Sequence, residues 1–533
     1  VTAGVLREKN TKLYLLGGRP YPIQLNYFKF DDPNASIELS WKTPVGKREI
    51  IPSEYLFTQL VPPSFVTQQK LPPDDASHGY ERGIQVDSTW DESITYAALE
   101  AAKFAGIRML RLARTNEKDE KKREKIITFA KEFVRYAFRE RLSADEVDHY
   151  INSKFGEDVP LHISIEKIVL LTLKSPRFLY PEWQSLAKKN KDPFVVASRM
   201  ALYFWDSIPD KRIHSLIDRD QLLKEWQVEG QAKVMLKDAR TKAKFNDFMM
   251  HWLDMKNKEL PSISLKKYPE FNAALALDLR RSLLSWIEKS IWEKTISWQE
   301  FLSMDQIQVN ERIAKFYEAP YPAENNSSGF VELNASVTGH RGLFSHPYIL
   351  ASHSYAEESS PIHRGVFTAR KILGRALRPP TEAVSFRNAD FNPNWTMRQK
   401  VTELTKAANC MSCHDQINSS GFVLENFDAT GKIRTQIQGK PIDLKVEYLD
   451  SKGEKREFQD ANDLLQHALT SPQPAKSFIN ELFMHLAKQA APSYDKIEIN
   501  QLAKMLNEGE LSIQELYLKL CFQGASDGFA YAK

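Results

Sequence analysis

The sequence predicts a mainly α-helical chain of several domains with a small β-rich segment at its amino terminus. Two observations on periodicity support this fold class. Apolar residues recur at every second position in the first part of the chain, whereas from about Ser88 onward they mostly follow the period of amphipathic helices. In addition, a chain of 533 residues is too long for one hydrophobic core, and its length suggests about three or four domains.

The β-rich segment is predicted over residues 1–62. Two runs there have the alternation of half-buried strands, with a turn-forming Asp-Asp-Pro-Asn sequence at 31–34 between them. The alternating apolar residues are Tyr21, Ile23, Leu25 and Tyr27 in the first run and Ile37, Leu39 and Trp41 in the second. Two or three strands cannot bury a sandwich core, so we expect a partial β-sandwich whose partner strands are supplied elsewhere. Because the chain opens at Val1 rather than Met, we expect it to be a processed or truncated piece of a longer precursor.

The rest of the chain is predicted to be helical. An apolar stripe marks a helix at 127–137, Ser143 and Glu146 form a capping box that opens the next helix, and an apolar helix ends before Pro176. Proline at 379 and 380 sets a linker, and a short β-like patch follows at 442–449. Further helices are predicted at 197–205, 222–236, 239–255, 273–292, 311–317 and 365–373, with two or three more before the carboxyl terminus. The predicted helical domains are 85–195, 196–335, 336–436 and 437–533.

Composition argues against several classes of function. The 73 basic and 69 acidic residues nearly cancel to a net charge of +4, so no basic face indicates nucleic-acid binding. No apolar run reaches the roughly 18 residues of a membrane helix. The metalloprotease H-E-x-x-H and the P-loop motifs are missing as well.

The sequence CMSCH at 410–414 carries the most specific chemical signal. Its C-x-x-C-H spacing is typical of c-type haem attachment. Cys410 and Cys413 lie one helical turn apart and can each form a thioether with a haem vinyl group, and His414 can supply the fifth iron ligand. We therefore predict one haem c. Since this haem is attached outside the cytoplasm, we expect a periplasmic or exported protein.

Three other interpretations of CMSCH compete with haem attachment. A zinc site needs a second Cys or His pair, and only Cys521 remains, with no histidine nearby. A thioredoxin-like redox pair belongs to a βαβ pattern, whereas the flanks here are helical. Chance occurrence of a five-residue motif is the third interpretation. We expect Cys521 to be a buried structural thiol.

The second axial position of the iron has several candidate ligands. We prefer His485 and His346; the others are His353, His363, Met397 and Met484. Met484 and His485 are adjacent helical positions about 100° apart, so only one of them is expected to face the core. His251 is a weaker candidate for a second metal.

Charged residues near the motif suggest further roles. Arg364 is predicted to bind a haem propionate through its guanidinium, with an ordinary surface salt bridge as the alternative. Asp415, Glu425 and Asp428 could tune the haem or transfer protons. For Asp428 we favour a structural role, the capping of a turn before Gly431.

The residues that follow His414 resemble the haem-site signature of a cytochrome family abundant in planctomycetes and verrucomicrobia. That signature continues after C-x-x-C-H with Ile-Asn/Asp-Pro-x-Gly-Phe and Leu-Glu-x-Phe-Asp-Ala-x-Gly. The chain departs from it at Ser419, where the family usually has proline. It keeps Ile417, Asn418, Gly421, Phe422, Leu424, Glu425, Phe427, Asp428, Ala429 and Gly431.

The resemblance extends over most of the chain. Segments at 173–180, 197–210, 341–375 and 478–489 are similar to other domains of the family, and residues 1–62 resemble the tail of a protective-antigen-type β-sandwich, a module associated with carbohydrate binding. The resemblance implies an exported haem protein in a polysaccharide-degrading setting, with 336–436 as the haem c domain. It names no reaction.

The predicted function is that of a c-type cytochrome in extracytoplasmic electron transfer or haem redox chemistry. Two alternatives remain: a haem peroxidase or oxygenase with an open axial position, and a docking scaffold that bears a haem. The sequence does not decide whether the chain is an enzyme. Expected partners are a redox protein, a polysaccharide and the amino-terminal part of the chain's own precursor; we expect no nucleic acid and no membrane span.

Overall fold

The fold is mainly α-helical, as predicted. The computed structural model describes residues 8–26, 36–43, 48–52, 55–58, 64–75, 86–180, 192–256, 258–322, 329–377, 391–392, 394–489 and 496–526. The chain is 56% helical and its β structure is limited to short pairs of strands.

Helices make up nearly all of the regular structure from residue 88 onward. Three 3₁₀ segments (Asn152–Lys154, Ala335–Thr338, Leu343–Ser345) and two π-helical segments (Lys289–Lys294, Thr368–Ile372) supplement the α-helices. In the described ranges the α-helices are α1 Ser88–Ile107, α2 Met109–Leu112, α3 Lys122–Phe138, α4 Ala144–Tyr150, α5 Leu161–Leu173, α6 Pro176–Leu179, α7 Pro193–Trp205, α8 Lys211–Asp218, α9 Glu225–Leu236, α10 Ala239–Trp252, α11 Ala273–Glu288, α12 Trp298–Ser303, α13 Glu311–Tyr317, α14 Pro347–Ser352, α15 Pro361–Phe367, α16 Met397–Thr405, α17 Ala408–Phe422, α18 Ala461–Thr470, α19 Pro472–Ala487, α20 Lys496–Asn507 and α21 Ile513–Ser526.

The strands form four antiparallel pairs in the part of the chain that the structure describes. In β1–β2 Trp41 lies opposite Glu49, in β3–β4 Ile307 lies opposite Leu333, and in β7–β8 Tyr448 lies opposite Arg456. The pairs are β1 Ser40–Lys42 with β2 Arg48–Ile50, β3 Gln306–Val309 with β4 Val331–Asn334, β5 Gln436–Ile437 with β6 Lys440–Pro441, and β7 Val446–Leu449 with β8 Lys455–Phe458.

The amino-terminal β prediction is only partly confirmed. The second predicted strand overlaps β1, but residues 21–26 contain no strand. The side chains of Ile23 and Leu25 are 62% and 54% exposed, so the alternation there does not correspond to a buried face. Apolar alternation specifies a strand only where a neighbouring strand and a core cover one face. The predicted turn at 31–34 lies outside the described residues.

The helix boundaries follow the local signals in the sequence. Ser143 and Glu146 form the predicted capping box at the start of α4. The apolar helix α5 ends at Leu173, and Pro176 occupies the first position of the short helix α6. The predicted helix at 311–317 coincides with α13. The linker predicted at Pro379 lies outside the described residues.

Buried apolar side chains form two hydrophobic clusters. The first joins α1, α3 and α5 within residues 102–169 and includes Phe138 and Ile165. The second runs from Phe194 to Ala525 and includes side chains from each of the three predicted domains after residue 195. Those three segments therefore share one continuous cluster, and the domain boundaries within it remain predictions.

Candidate functional site

The three residues of the predicted haem site lie on one face at the start of α17. Cys410, Cys413 and His414 are at positions i, i+3 and i+4, which a helix places side by side. Both cysteines are half-buried free thiols, His414 is also half-buried, and Ser412, which points elsewhere, is exposed. This first part of α17 is thus accessible from outside while the rest of the helix is buried.

A chain of hydrogen bonds fixes the His414 ring. Its Nδ1 lies 3.1 Å from the side-chain oxygen of Asn418, one turn further along α17. The Asn418 amide nitrogen donates to Thr405 Oγ1 at 2.9 Å, and Thr405 donates to the carbonyl oxygen of Val401 at 2.8 Å. Since the Asn418 oxygen can only accept, Nδ1 carries the proton of the neutral imidazole. The lone pair is then on Nε2, which has no hydrogen-bond partner among the described residues.

The backbones of α15 and the buried half of α17 pack in close contact. A Cβ atom added at Gly365 would overlap the carbonyl oxygen of Ile417, and one added at Gly421 would overlap that of Pro361. Glycine is required at both positions because any side chain would separate the two backbones. On another side of α17, the Gln416 amide donates to the Leu449 carbonyl in β7 at 2.7 Å. Together with α16, these elements hold the motif on a rigid support.

Arg364 is a buried residue whose donors are all used by the protein. It is 1% exposed, and burial lowers the pKa of its guanidinium to about 10, so it stays charged at neutral pH. The predicted propionate contact therefore has no free N–H group to use, and the side chain is not at the surface, as the alternative salt bridge required. The acceptors are the carbonyl oxygens of Leu350, Leu424, Phe427 and Asp428 at 2.5–3.3 Å and Ser354 Oγ at 2.9 Å.

The acidic residues after α17 differ in their surroundings. Glu425 is 1% exposed, lies 3.5 Å from Arg434 and accepts a hydrogen bond from Ser359; burial raises the pKa of its carboxyl group. Asp428 Oδ1 accepts from the backbone N–H groups of Thr430 and Lys432 at 2.8 and 3.0 Å. The prediction that Asp428 caps the turn before the glycine at 431 is confirmed.

Two candidate axial histidines have their ring nitrogens engaged. In the completely buried His346, Nδ1 accepts from the backbone N–H of Tyr348 at 3.1 Å, and Nε2 lies 3.3 Å from Ser282 Oγ. Burial lowers the pKa of His346 well below its ordinary value. In His353, Nδ1 lies 2.9 Å from the Ile349 carbonyl, and Nε2 lies 3.4 Å from Lys258 Nζ. Iron ligation by either ring would break existing hydrogen bonds.

The other candidates lie on α15, α16 and α19. His485 is 3% exposed, and its Nε2 makes no hydrogen bond within the described ranges, although it lies 3.8 Å from the Asp247 carboxylate. Met484 is half-buried, so the histidine of this pair is the one that faces the core. His363 is exposed on α15. Met397 is the first residue of α16, next to Arg398, whose guanidinium lies over the Phe422 ring. The residue of α16 that contacts Asn418 is Thr405, at the other end of the helix.

The third cysteine, Cys521, is completely buried, and burial raises the pKa of its thiol. The predicted structural role of this thiol is confirmed.

Over the residues that the structure describes, His251 included, no three or more His, Cys, Asp or Glu side chains are grouped so that they could hold a metal ion. The donor set at the start of α17, two free thiols and one imidazole nitrogen, fits a covalently attached haem instead.

Asn418 and Thr405 are the site residues to which the sequence assigned no role. The signal for Asn418 was present, because it stands four residues after His414 on a predicted helix and therefore on the same face. Thr405 gave no such signal, since it belongs to a different helix and reaches Asn418 only through the packing of α16 on α17.

Comparison with known families supports a cytochrome-type relationship for the central part of the chain. Residues 192–319 match a family model described as PSD4, protein of unknown function (DUF1592), and residues 340–437 match one described as PSCyt3, protein of unknown function (DUF1588). Both are domain families of the planctomycete cytochrome type, so the chain is similar to a cytochrome-like family. The second match contains α14 to α17 and the whole CMSCH motif.

Other comparisons found nothing. No curated protein and no solved structure matches the chain. The resemblance of residues 1–62 to a protective-antigen-type module remains a prediction. Among the described helices, none combines the length and apolar character needed to cross a bilayer.

Proposed function

We propose that the chain is a c-type cytochrome that carries one haem at Cys410, Cys413 and His414 and acts in redox chemistry outside the cytoplasm. One observation carries this proposal: two free thiols and an imidazole lie side by side on the accessible first part of α17, and the imidazole Nε2 has no hydrogen-bond partner among the described residues. The match of residues 340–437 to a cytochrome-type family supports it.

Each residue of the site has a defined role in this proposal. Cys410 and Cys413 would form the two thioether bonds, and His414 Nε2 would be the fifth ligand of the iron. When bound, haem c supplies a one-electron redox centre. Asn418 holds the proton of the imidazole on Nδ1 and so leaves Nε2 free to ligate.

The second axial ligand separates electron transfer from catalysis at the iron. Two protein ligands favour electron transfer, and an open position permits reaction with oxygen or peroxide. Of the two preferred candidates, only His485 keeps a ring nitrogen free of hydrogen bonds within the described ranges, and burial lowers the pKa of that ring so that it is neutral. We propose electron transfer, with His485, whose ring packs against Phe248 of α10, as the candidate sixth ligand to test first.

A peroxidase or oxygenase is the second candidate function. It is favoured by the hydrogen bonding of His346 and His353, which occupies both ring nitrogens of each candidate. In that case the sixth position is open, and a polysaccharide or its fragments would be the substrate class implied by the resemblance. A redox partner protein is proposed for either function.

The experiment is to produce the chain with a haem c maturation system in an extracytoplasmic compartment and to measure covalently bound haem. We expect one haem per chain by mass and by the pyridine haemochrome spectrum. The Cys410→Ser/Cys413→Ser variant is the control and should carry none. A parent chain that folds but carries no covalent haem would refute the proposal.

Spectra of the loaded protein then decide between the two functions. A low-spin haem that does not react with peroxide when ferric and does not bind carbon monoxide when reduced indicates two protein ligands, and conversion to high spin in His485→Ala would identify the second. A high-spin haem that binds carbon monoxide in the parent would refute His485 ligation and support the enzyme.

A further inference from the structure

Asn418 and Thr405 form a polar pair directly behind the predicted iron ligand. Asn418 is 8% exposed and Thr405 is 3% exposed, so water does not compete freely for their hydrogen bonds. We propose that Asn418, held by Thr405, is the positioning residue that fixes the tautomer and orientation of His414 and lowers the reduction potential of the iron. This inference rests on the proposed function.

The direction of the Asn418 amide decides which nitrogen of His414 is free. In the observed direction, the Asn418 oxygen accepts from His414 Nδ1 and the lone pair is on Nε2. If the amide were reversed, its nitrogen would donate to Nδ1, and the proton of the neutral ring would move to Nε2. A protonated Nε2 cannot ligate iron, so only the observed direction presents a competent ligand.

Thr405 selects the observed direction. Its hydroxyl already donates to the Val401 carbonyl at 2.8 Å, which leaves the oxygen lone pairs to accept from the Asn418 amide nitrogen at 2.9 Å. A reversed Asn418 amide would place its oxygen against Thr405 Oγ1. To donate to that oxygen, the Thr405 hydroxyl would have to break its hydrogen bond to the Val401 carbonyl. The buried bond between Thr405 and Val401 therefore works against the reversed amide.

The same hydrogen bond affects the electronic state of the ligand. An acceptor on the Nδ1–H group makes the imidazole a stronger electron donor and fixes the plane of its ring. A stronger donor favours ferric over ferrous iron, so loss of the acceptor should raise the reduction potential and a negatively charged acceptor should lower it. An effect of this sign is not expected from a residue that only stabilises the fold.

Four variants test the proposal in the full chain. Asn418→Leu removes the acceptor with little change in volume, Asn418→Asp keeps an acceptor and adds charge, and Thr405→Val removes only the group that orients the amide. Ser419→Ala is the matched control, because Ser419 is buried on the same helix but, among the described residues, bonds only to backbone oxygens of α17. The reduction potential of the haem-loaded protein is measured for each variant, relative to the parent.

The expected order of potentials is specific. Asn418→Leu should have the highest potential, Thr405→Val an intermediate rise, Ser419→Ala the parent value and Asn418→Asp a value below the parent. A potential for Asn418→Leu equal to that of Ser419→Ala would overturn the proposal. Thr405→Val keeps the test decisive if the leucine variant does not fold, since an unchanged potential there contradicts the role of Thr405.

A second measurement does not depend on haem. In haem-free chain labelled with ¹⁵N-histidine, at a pH near 8 where an ordinary imidazole is neutral, the His414 signals should show the proton on Nδ1. Thr405→Val should give a mixture of tautomers, and a parent ring protonated on Nε2 would overturn the inference. If the parent has the Nδ1–H tautomer but never acquires haem, the proposed function fails while the tautomer assignment stands.

Discussion

Replacement of Arg364 by methionine separates a structural role from a role in haem binding. Methionine keeps much of the apolar stem of arginine but none of its donors. In the structure those donors join α15 to α14 and to the loop that follows α17. If this network is the function of Arg364, the variant is destabilised whether or not haem is attached.

The size of the effect follows from the acceptors that lose their donor. A hydrogen bond from a charged group contributes about 1.5–3 kcal/mol. The Leu424 and Asp428 carbonyls each keep a second, backbone donor, from Phe427 and Gly431 respectively, so their loss is partial. The Phe427 carbonyl loses a 2.7 Å bond from the buried guanidinium. We expect a total loss of about 3–5 kcal/mol, the usual result when one partner of a buried charged network is removed.

Hydrogen exchange is the suitable assay, because a chain of this length is not expected to unfold in a single two-state step. In the haem-free chain, amides of α15 and α17 should exchange about a hundred to several thousand times faster in Arg364→Met. The control is Arg398→Met, a half-buried arginine that donates to two backbone carbonyls. Water can replace these donors, so the expected loss of stability is smaller than for Arg364→Met. Exchange within tenfold of the parent in haem-free Arg364→Met, with a change only after haem is attached, would refute the structural role.

Three further predictions concern other parts of the chain. Single Cys410→Ser or Cys413→Ser variants should retain one thioether, and acid–acetone extraction should free the haem only from the double variant. Gly421→Ala should destabilise the chain by about 3 kcal/mol, seen as a lower melting temperature, whereas Gly230→Ala in open space on α9 should stabilise it by up to about 1 kcal/mol. Burial lowers the pKa of His214 to about 4, so the unfolded chain binds the proton first and stability falls between pH of about 6.5 and 4. That loss is at most about 3 kcal/mol and should be missing from the hydrogen exchange of α8 amides in His214→Phe.

Helices were predictable because their signals are local. The capping box of Ser143 and the proline at 176 each act within one turn, and the apolar stripe of α3 needs only one neighbouring surface. The predicted helix at 273–292 overlaps the π-helical segment Lys289–Lys294, and the one at 365–373 includes the π-helical segment Thr368–Ile372. The change from α-helical to π-helical hydrogen bonding depends on packing, so no sequence pattern predicts it.

The strand prediction at residues 21–26 failed because a strand depends on partners that are distant in sequence. Alternation at Ile23 and Leu25 was real, yet both side chains are exposed. The short pair β1–β2 formed where Trp41 could donate to Glu49 at 2.8 Å across the two strands. A pattern with a period of two therefore predicts a strand only as far as its partner can also be predicted.

At the candidate site, the predictable part is the part that lies on one helix. The spacing of Cys410, Cys413 and His414 specifies their common face before any fold is known, and Asn418 continues the same face. Whether a histidine elsewhere is a ligand depends on what its two ring nitrogens contact. The sequence does not show these contacts, and it therefore gives no reason to prefer His485 over His346 as the axial ligand. The fold separates them: His346 is the amino-terminal cap of α14 with both nitrogens engaged, while His485 faces the core with Nε2 free of hydrogen bonds in the described ranges. An axial ligand must offer a lone pair, so the contacts of each ring, rather than its distance along the chain, should guide the choice of which histidine to mutate first.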